Sequence, residues 1–231
     1  MLLIHGAGAS SAIWMMVMAR LGRLTRVVAV DLPGHGPSPA AESGVAPSIA
    51  DHRDAVGTLA AGLCLGRSVL VGHSMGGLVA LDAALAWPDK VAGLVLCGAA
   101  PRLPVSDALL AVVRDDYDAF PAWLAERALS PAAAPGLRRA FIAAGLVTPR
   151  ATTLADYAAI AATDLTARLP EIKCPVIWLH GADDRLVAAP DGATLPPNSE
   201  RVIIPAAGHL LPIEAPAPVA ETAGRLSLNR A

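Results

Sequence analysis

Val71-Gly72-His73-Ser74-Met75-Gly76-Gly77 reads G-x-S-x-G and joins an apolar run at residues 68–71 to a helical pattern at residues 77–86. Because Gly72 and Gly76 lack Cβ atoms, a strand and a helix can approach closely there, and Ser74 can adopt a strained backbone conformation. The free N–H groups and the positive dipole end of the helix would face the serine oxygen. A glycine-rich turn with a chance serine is the alternative, and the strand-to-helix position argues against it.

Strand-like and helix-like patterns alternate along much of the chain. The apolar segments end at polar, glycine-rich loops, and helical patterns fill residues 49–63 and 77–87. This alternation predicts an α/β fold with a parallel sheet covered by helices on both faces. Ligands of such sheets gather at the carboxyl ends of the strands, where these loops lie. The predicted strands are residues 2–4, 27–30, 69–71, 94–97, 176–179 and 202–204.

Residues 99–171 interrupt this alternation with about four helical patterns and no convincing strand. We predict a helical cap inserted into a core formed by residues 1–98 and 172–231. The large side chains of the cap predict an apolar substrate pocket. They are Phe120, Trp123, Phe141 and Tyr157. Arg138 and Arg139 could meet a substrate carboxylate, although a solvated helix face is the favoured interpretation.

Composition excludes several classes of function. The 231 residues are 54% hydrophobic and 16% charged with a net charge of −2, which suits one large domain. There is no basic stripe, and aromatic residues make up 3% of the chain, so we expect no nucleic-acid partner. The mean hydropathy is +0.50, but the apolar runs are interrupted, so we expect neither a membrane span nor a signal peptide. Three distant cysteines, Cys64, Cys97 and Cys174, are expected to be reduced and buried in a cytoplasmic protein.

The later loops supply a base and an acid for the serine. A serine hydroxyl needs a positioned base, and the base needs a carboxylate partner. The segment from His180 to Arg185 contains two aspartates, and Ala206-Ala207-Gly208-His209 follows the last strand. In this order of serine, aspartate and histidine the chain resembles α/β-hydrolase fold enzymes over essentially its whole length. In those enzymes the acid usually lies three residues after a loop glycine, which favours Asp184; Asp183 stays as the alternative.

The resemblance implies a mechanism and a site. Ser74 would be the nucleophile and His209 the general base, oriented by Asp184, and the backbone N–H groups of Ala7 and Met75 would form an oxyanion hole. His5, Trp14 and His73 are weaker candidates for substrate contacts, since loop hydrogen bonding or packing explains them as well. No metal-ligand spacing, P-loop or dinucleotide fingerprint appears, so no metal or cofactor is expected.

The implied function is a cofactor-independent serine hydrolase that cleaves small to medium carboxylic esters or lactones through an acyl-enzyme. The chain looks similar to enol-lactonases and pimeloyl-carrier-protein methyl esterases. Two alternatives stay open: a non-hydrolytic ligand-binding member of the fold, and a perhydrolase or C–C bond hydrolase that uses the same triad.

One departure from the family concerns the edge of the sheet. Family members usually carry two further strands at one edge of the sheet before the first catalytic loop, whereas here that loop begins at His5. Either these two strands are missing from the protein, or the start of the chain is truncated. The resemblance therefore implies a six-stranded parallel sheet with an exposed edge. Because such an edge invites pairing with another chain, we expect a homodimer through it or reduced stability.

Overall fold

One parallel sheet forms the centre of the molecule. A computed structural model describes residues 1–40, 46–145, 147–192 and 195–228. In these residues six strands lie in the order β2-β1-β3-β4-β5-β6, and every neighbouring pair is parallel. The strands are β1 (Leu2–Ile4), β2 (Val28–Val30), β3 (Ser68–His73), β4 (Val91–Cys97), β5 (Val176–Gly181) and β6 (Ser199–Ile204).

Helices cover both faces of this sheet. The helices of the described residues are α1 (Met15–Leu21), α2 (Ile49–Gly62), α3 (Met75–Ala86), α4 (Asp107–Asp115), α5 (Phe120–Ala128), α6 (Pro135–Ala144), α7 (Arg150–Ala161), α8 (Leu211–Glu214) and α9 (Pro216–Leu228). Helices α2 and α3 pack on one face, and α1 and α9 pack on the other. Short 3-10 helices lie at Ser11–Trp14, Tyr117–Ala119 and Thr166–Glu171. The predicted α/β fold with a parallel, helix-covered sheet is confirmed.

Side chains of the strands alternate between two hydrophobic clusters. Leu2 and Ile4 pack in the cluster that contains α2 and α3, whereas Leu3 packs with α1 and α9. Successive residues of a strand point to opposite faces, so a strand that is buried on both faces is apolar at every position. This burial explains the continuous apolar runs and the positive mean hydropathy of the chain.

The described residues between β4 and β5 contain helices α4 to α7 and no strand. Ser106 begins α4, because its hydroxyl accepts a hydrogen bond from the N–H of Leu109. Pro121 stands in the first turn of α5, where its missing N–H costs nothing. The division into a core and a cap at residues 99–171 stays a prediction.

Several sequence predictions differ from the structure in detail. Strand β4 begins at Val91, earlier than the predicted residues 94–97. Gly93 lies within this strand and packs against Leu226 of α9. A Cβ at Gly93 would lie 2.8 Å from a Leu226 methyl group, so this glycine marks a close approach and not the end of a strand. Cys64 is exposed, which corrects the expectation that all three cysteines are buried.

The sheet edge at β2 has β1 as its one partner strand within the part of the chain that is described. Dimer formation through this edge stays a prediction. None of the described helices has the length and hydropathy required to cross a membrane.

Candidate active site

Ser74 lies at a sharp turn between β3 and α3. Its backbone has φ 52° and ψ −116°, outside the regions that non-glycine residues prefer. A Cβ on Gly72 would overlap the backbone of Gly76, and one on Gly76 would overlap the carbonyl of Ile4. The two glycines therefore let the strand, the helix and β1 approach closely enough to form this turn, as the G-x-S-x-G pattern predicts.

His209 and Asp184 are brought together from two loops at the carboxyl ends of β5 and β6. Oδ2 of Asp184 lies 2.9 Å from Nδ1 of His209, and Oδ1 accepts the N–H groups of Leu186 and Val187, both at 2.9 Å. Burial alone would raise the pKa of Asp184. The hydrogen bond and charge of His209 and the backbone donors outweigh burial, so the pKa lies below its usual value.

Asp183, the alternative acid, has a different partner. Its Oδ2 accepts a hydrogen bond from the hydroxyl of Ser130 at 2.6 Å, which ties the β5 loop to the end of α5. Of the two adjacent aspartates, Asp184 is the one in contact with His209.

The backbone of the His209 loop is held on several sides. The His209 N–H donates to the carbonyl of Ala128 at 2.6 Å, and its carbonyl accepts from Nε2 of His73 at 3.0 Å. Burial, followed by the charge of His209, lowers the pKa of His73 to about 3, so this ring is neutral. Gly98 has φ +54°, and a Cβ there would lie 3.0 Å from Nδ1 of His209. The His209 ring therefore lies directly against a glycine backbone.

Glu214 is a supporting residue that sequence analysis missed. Its carboxylate accepts the N–H groups of Gly208 and Leu210, on either side of His209, at 3.1–3.2 Å, and the N–H of Ser130 at 2.7 Å. Burial raises the pKa of Glu214 more than these donors lower it. The available signal was a single carboxylate after the apolar segment Leu210-Leu211-Pro212-Ile213.

The loop after β1 orients the Ala7 N–H. Nδ1 of His5 donates to the carbonyl of Gly6 at 2.8 Å, because Nε2 accepts the N–H of Leu32 at 3.1 Å. Burial lowers the pKa of His5 to about 4, which keeps the ring neutral as this pattern requires. Because C=O and N–H point in opposite directions across a trans peptide, holding the Gly6 carbonyl fixes the direction of the Ala7 N–H. Met75 begins α3, where N–H groups lack partners within the helix.

A cavity of about 220 Å³ joins these groups. Ser74, His209, His73 and Ala7 line it, and Arg185 stands at its wall with the guanidinium donating to the carbonyls of Glu126 and Leu129. The rest of the wall is mainly apolar and includes Leu103, Leu109, Leu124, Ile160, Leu186 and Val187. The site therefore presents a serine and a histidine to a small, apolar space.

The large side chains predicted to contact substrate divide into two groups. Phe141, Tyr157 and His73 line the cavity. Trp14, Phe120, Trp123 and His5 are not among its lining residues, and their assignment as substrate contacts stays a prediction. Trp14 packs with α1 and α9, Phe120 is buried among the rings of Tyr117, Trp123 and Tyr157, and Trp123 stacks under Arg127.

Three further features of the structure bear on the choice of site. A larger cavity of about 560 Å³ lies between α2 and the amino ends of the strands, beside Gly57, Trp87 and Val91, and contains none of the predicted site residues. The position at the carboxyl ends of the strands therefore favours the smaller cavity as the candidate site. Within the described ranges no three His, Cys, Asp or Glu side chains are grouped to hold a metal ion. Arg138, a candidate carboxylate ligand, instead donates to the carbonyls of Ala125 and Ser130.

Comparison with known proteins agrees with the α/β fold of the chain. A family model described as "Alpha/beta hydrolase family" matches residues 1–222. The chain is 32% identical over 226 residues to 2-(acetamidomethylene)succinate hydrolase of Mesorhizobium japonicum, covering 90% of this chain and 81% of that protein. It is 31% identical over 237 residues to pimeloyl-[acyl-carrier protein] methyl ester esterase of Edwardsiella ictaluri, covering 94% and 89%.

Solved structures give the same fold. A thermophilic esterase from Thermogutta terrifontis, with malate bound, superposes with a TM-score of 0.83 at 29% identity and covers 99% of this chain and 89% of that one. The enol-lactonase from Burkholderia xenovorans LB400 also has a TM-score of 0.83, at 24% identity, covering 98% and 91%. The second likeness concerns the fold alone.

Proposed function

Because this chain belongs to the alpha/beta hydrolase family, we propose that it is a serine hydrolase acting on small to medium carboxylic esters or lactones. The observation that carries the proposal is the 2.9 Å contact between Asp184 and the His209 ring, at the wall of a cavity that Ser74 also lines. A hydrogen bond at Nδ1 leaves Nε2 as the nitrogen that can accept a proton from a serine hydroxyl.

The first half of the reaction forms an acyl-enzyme. The Ser74 oxygen attacks the ester carbonyl carbon while Nε2 of His209 takes the hydroxyl proton. Asp184 holds the ring and stabilises the imidazolium. The N–H groups of Ala7 and Met75 donate to the oxyanion, and each such donor is worth roughly 10²–10³ in kcat in related chemistry. When the tetrahedral intermediate collapses, the C–O bond to the alcohol breaks, and His209 returns the proton to the leaving oxygen.

The second half releases the acid. His209 takes a proton from water, the water oxygen attacks the acyl carbon, and a second tetrahedral intermediate forms in the same oxyanion hole. Its collapse breaks the bond to the Ser74 oxygen, which regains its proton from His209. The net reaction consumes one water and produces one acid and one alcohol, or one hydroxy acid from a lactone.

The cavity supports a limit on substrate size. Its volume of about 220 Å³ is below the range of roughly 300–1,000 Å³ typical of sites for drug-sized ligands. Its wall is mostly leucine and other apolar side chains, which favour an uncharged acyl or alcohol group. Short-chain p-nitrophenyl esters are therefore expected to be cleaved faster than long-chain lipids.

The proposal is tested by covalent labelling. The purified protein would be treated with a fluorophosphonate probe and the adduct located by peptide mass spectrometry, in the native chain, in Ser74→Ala and in Ser68→Ala. Ser68 lies on the same strand at its opposite end and contacts Gly66, so it is a matched control. We expect labelling at Ser74 in the native chain and in Ser68→Ala, no labelling in Ser74→Ala, and a fall in kcat of several powers of ten in Ser74→Ala.

Two results would contradict the proposal. The first is a folded protein that the probe does not label, which would mean that Ser74 is not activated as a nucleophile. Labelling at Ser74 without turnover of any ester or lactone in a broad panel would favour the ligand-binding or perhydrolase alternatives, which a peroxide-dependent halogenation assay then separates.

A further inference from the structure

Asp156 is a fully buried carboxylate on α7 that the proposed reaction does not use. Its Oδ2 accepts the Gly8 N–H at 2.9 Å and lies 2.8 Å from Nε2 of His35, and its Oδ1 lies 3.6 Å from Nε2 of His52. The side chains of Asp156, His35 and His52 are all 0% exposed. An ionised carboxylate in such a place costs several kcal/mol unless it is paired and hydrogen-bonded. The charge of Asp156 must therefore be compensated within the fold.

The bond to Gly8 places Asp156 next to the proposed oxyanion hole. The Gly6–Ala7 peptide is held at its carbonyl by His5, and the following Ala7–Gly8 peptide is held at its N–H by Asp156. Two consecutive peptide units on either side of the Ala7 Cα are thus fixed by buried side chains. Gly8 has φ +64°, and a Cβ there would lie 3.2 Å from Thr153, so α7 also packs directly on this loop.

The charge of Asp156 is balanced by His35. The His35 ring has acceptors at both nitrogens, since Nε2 contacts Asp156 and Nδ1 lies 3.1 Å from the Pro33 carbonyl, and a ring that donates twice is a cation. Burial alone would lower the pKa of His35. The hydrogen bond and charge of Asp156 outweigh burial and raise the pKa above its usual value. The pair is therefore neutral overall, and no net negative charge opposes an oxyanion formed nearby.

We propose that Asp156 is a positioning residue of the oxyanion hole, through which helix α7 holds the Ala7 N–H in its catalytic direction. This inference rests on the proposed function. The same helix contributes Tyr157 and Ile160 to the cavity wall. Helix α7 thus lines the cavity with Tyr157 and Ile160, and contacts the loop after β1 through Asp156 and Thr153. The position of α7 is therefore coupled to the rate of the chemical step.

The test compares Asp156→Ala and Asp156→Asn with the control Asp82→Asn. Asp82 is a largely buried carboxylate on α3 that pairs with Arg53 of α2 at 2.8 Å, so its loss also removes a charged link between two helices. Turnover of p-nitrophenyl acetate would be normalised to the number of active sites counted by the burst of p-nitrophenol. Normalisation keeps unfolded protein from being counted as slow enzyme.

We expect Asp156→Ala to lower kcat about 10- to 100-fold with KM nearly unchanged, because a small misplacement of a catalytic group costs up to about 10² in rate. Asp156→Asn keeps an oxygen that can accept the Gly8 N–H, so its loss should be smaller. The inhibition constant of a trifluoromethyl ketone, whose adduct carries an oxyanion, should rise in parallel with the loss of kcat. Asp82→Asn should lower the Tm and leave kcat and the inhibition constant of the ketone unchanged.

The outcomes separate this inference from the proposed function. If the native chain shows Ser74-dependent turnover and both Asp156 variants keep the native kcat per active site, Asp156 does not position the hole. A rise in KM at constant kcat would equally overturn the inference. If Asp156→Ala does not fold, the kcat and ketone affinity of the isosteric Asp156→Asn decide. Absence of Ser74-dependent turnover in the native chain would instead contradict the proposed function.

Discussion

Asp184 and His209 are joined by a 2.9 Å contact between Oδ2 and Nδ1, although 25 residues separate them in the chain. The adjacent carboxylate, Asp183, instead accepts the Ser130 hydroxyl at the end of α5. Two neighbouring aspartates on one loop thus have separate partners, and their substitutions should have separate effects.

Asp184→Asn should lower kcat by about 10⁴, as loss of the orienting carboxylate does in serine proteases, because the ring would adopt the wrong tautomer. Asp183→Asn should leave kcat within a few-fold of the native value and lower the stability by about 1 kcal/mol through a weakened hydrogen bond to Ser130. Kinetics on p-nitrophenyl butyrate measure kcat of the two variants, and thermal melts measure their stability. The reverse pattern of kcat losses would assign the catalytic acid to Asp183.

Gly98 is expected to be essential for the placement of the His209 ring. Gly98→Ala should lower the free energy of unfolding by about 1–2 kcal/mol, the cost of a Cβ at positive φ. Its new methyl group would also press on the ring, since a Cβ there lies 3.0 Å from Nδ1, so kcat should fall as well.

Gly145 offers a matched control for this variant. It has φ +62°, but a Cβ there meets no atom within 4 Å. Gly145→Ala therefore also places a Cβ at positive φ but without the contact, and should lose stability at unchanged kcat. If the two variants lose kcat equally, contact with His209 is not the cause.

Phe141 and Trp123 should differ in their effect on substrate length. Phe141 lines the cavity whereas Trp123 is not among its lining residues, so Phe141→Ala enlarges the cavity and Trp123→Ala is expected not to. The ratio of kcat/KM for p-nitrophenyl hexanoate over acetate should rise about tenfold or more in Phe141→Ala, because each methylene that fits an apolar pocket is worth about 1–3 kcal/mol. A larger rise of this ratio in Trp123→Ala would mean that substrate binds elsewhere in the cap.

These residues illustrate what local sequence could and could not predict. The turn at Ser74 could be predicted, because the two glycines and the change from strand to helix that form it are adjacent in the sequence. Phe141 and Trp123 lie on similar amphipathic helices, and which of them faces the cavity depends on how the cap helices pack, which no short motif encodes. The same holds for the difference between Asp183 and Asp184, whose directions depend on distant partners.

Asp156 is the extreme case of a residue without a local signal. It lies 121 positions from His35 and 148 from Gly8, in a region whose pattern predicts only a helix. The role proposed for it depends on long-range contacts that a single sequence does not reveal. Glu214 is closer to its targets, and a carboxylate after the apolar segment beyond His209 is a signal that could have been used.

Acid should destabilise the fold well above the range in which carboxylates titrate. Burial is the main cause of low pKa values at three histidines, about 4 for His5, about 3 for His73 and about 4 for His180. In the unfolded chain each binds a proton near pH 6.5, whereas in the folded chain each stays neutral. Between pH 6.5 and about 4 the unfolded state therefore holds more protons, so stability falls as the pH falls.

Each such histidine contributes about 1.4 kcal/mol per pH unit within this window, so the three together approach about 4 kcal/mol per unit. Urea unfolding at pH 7.5, 6.0 and 5.0 should reveal this slope, and His180→Leu should reduce it by the share of one histidine. His35 does not add to this slope. Its pKa is raised in the folded protein, so the ring is protonated there, and below its ordinary pKa the ring is protonated in the unfolded chain as well. The stability that His35 contributes is instead lost as the pH rises through its pKa in the folded protein. Equal unfolding free energies at pH 7.5 and 5.0 would mean that these three rings take up protons in the folded protein.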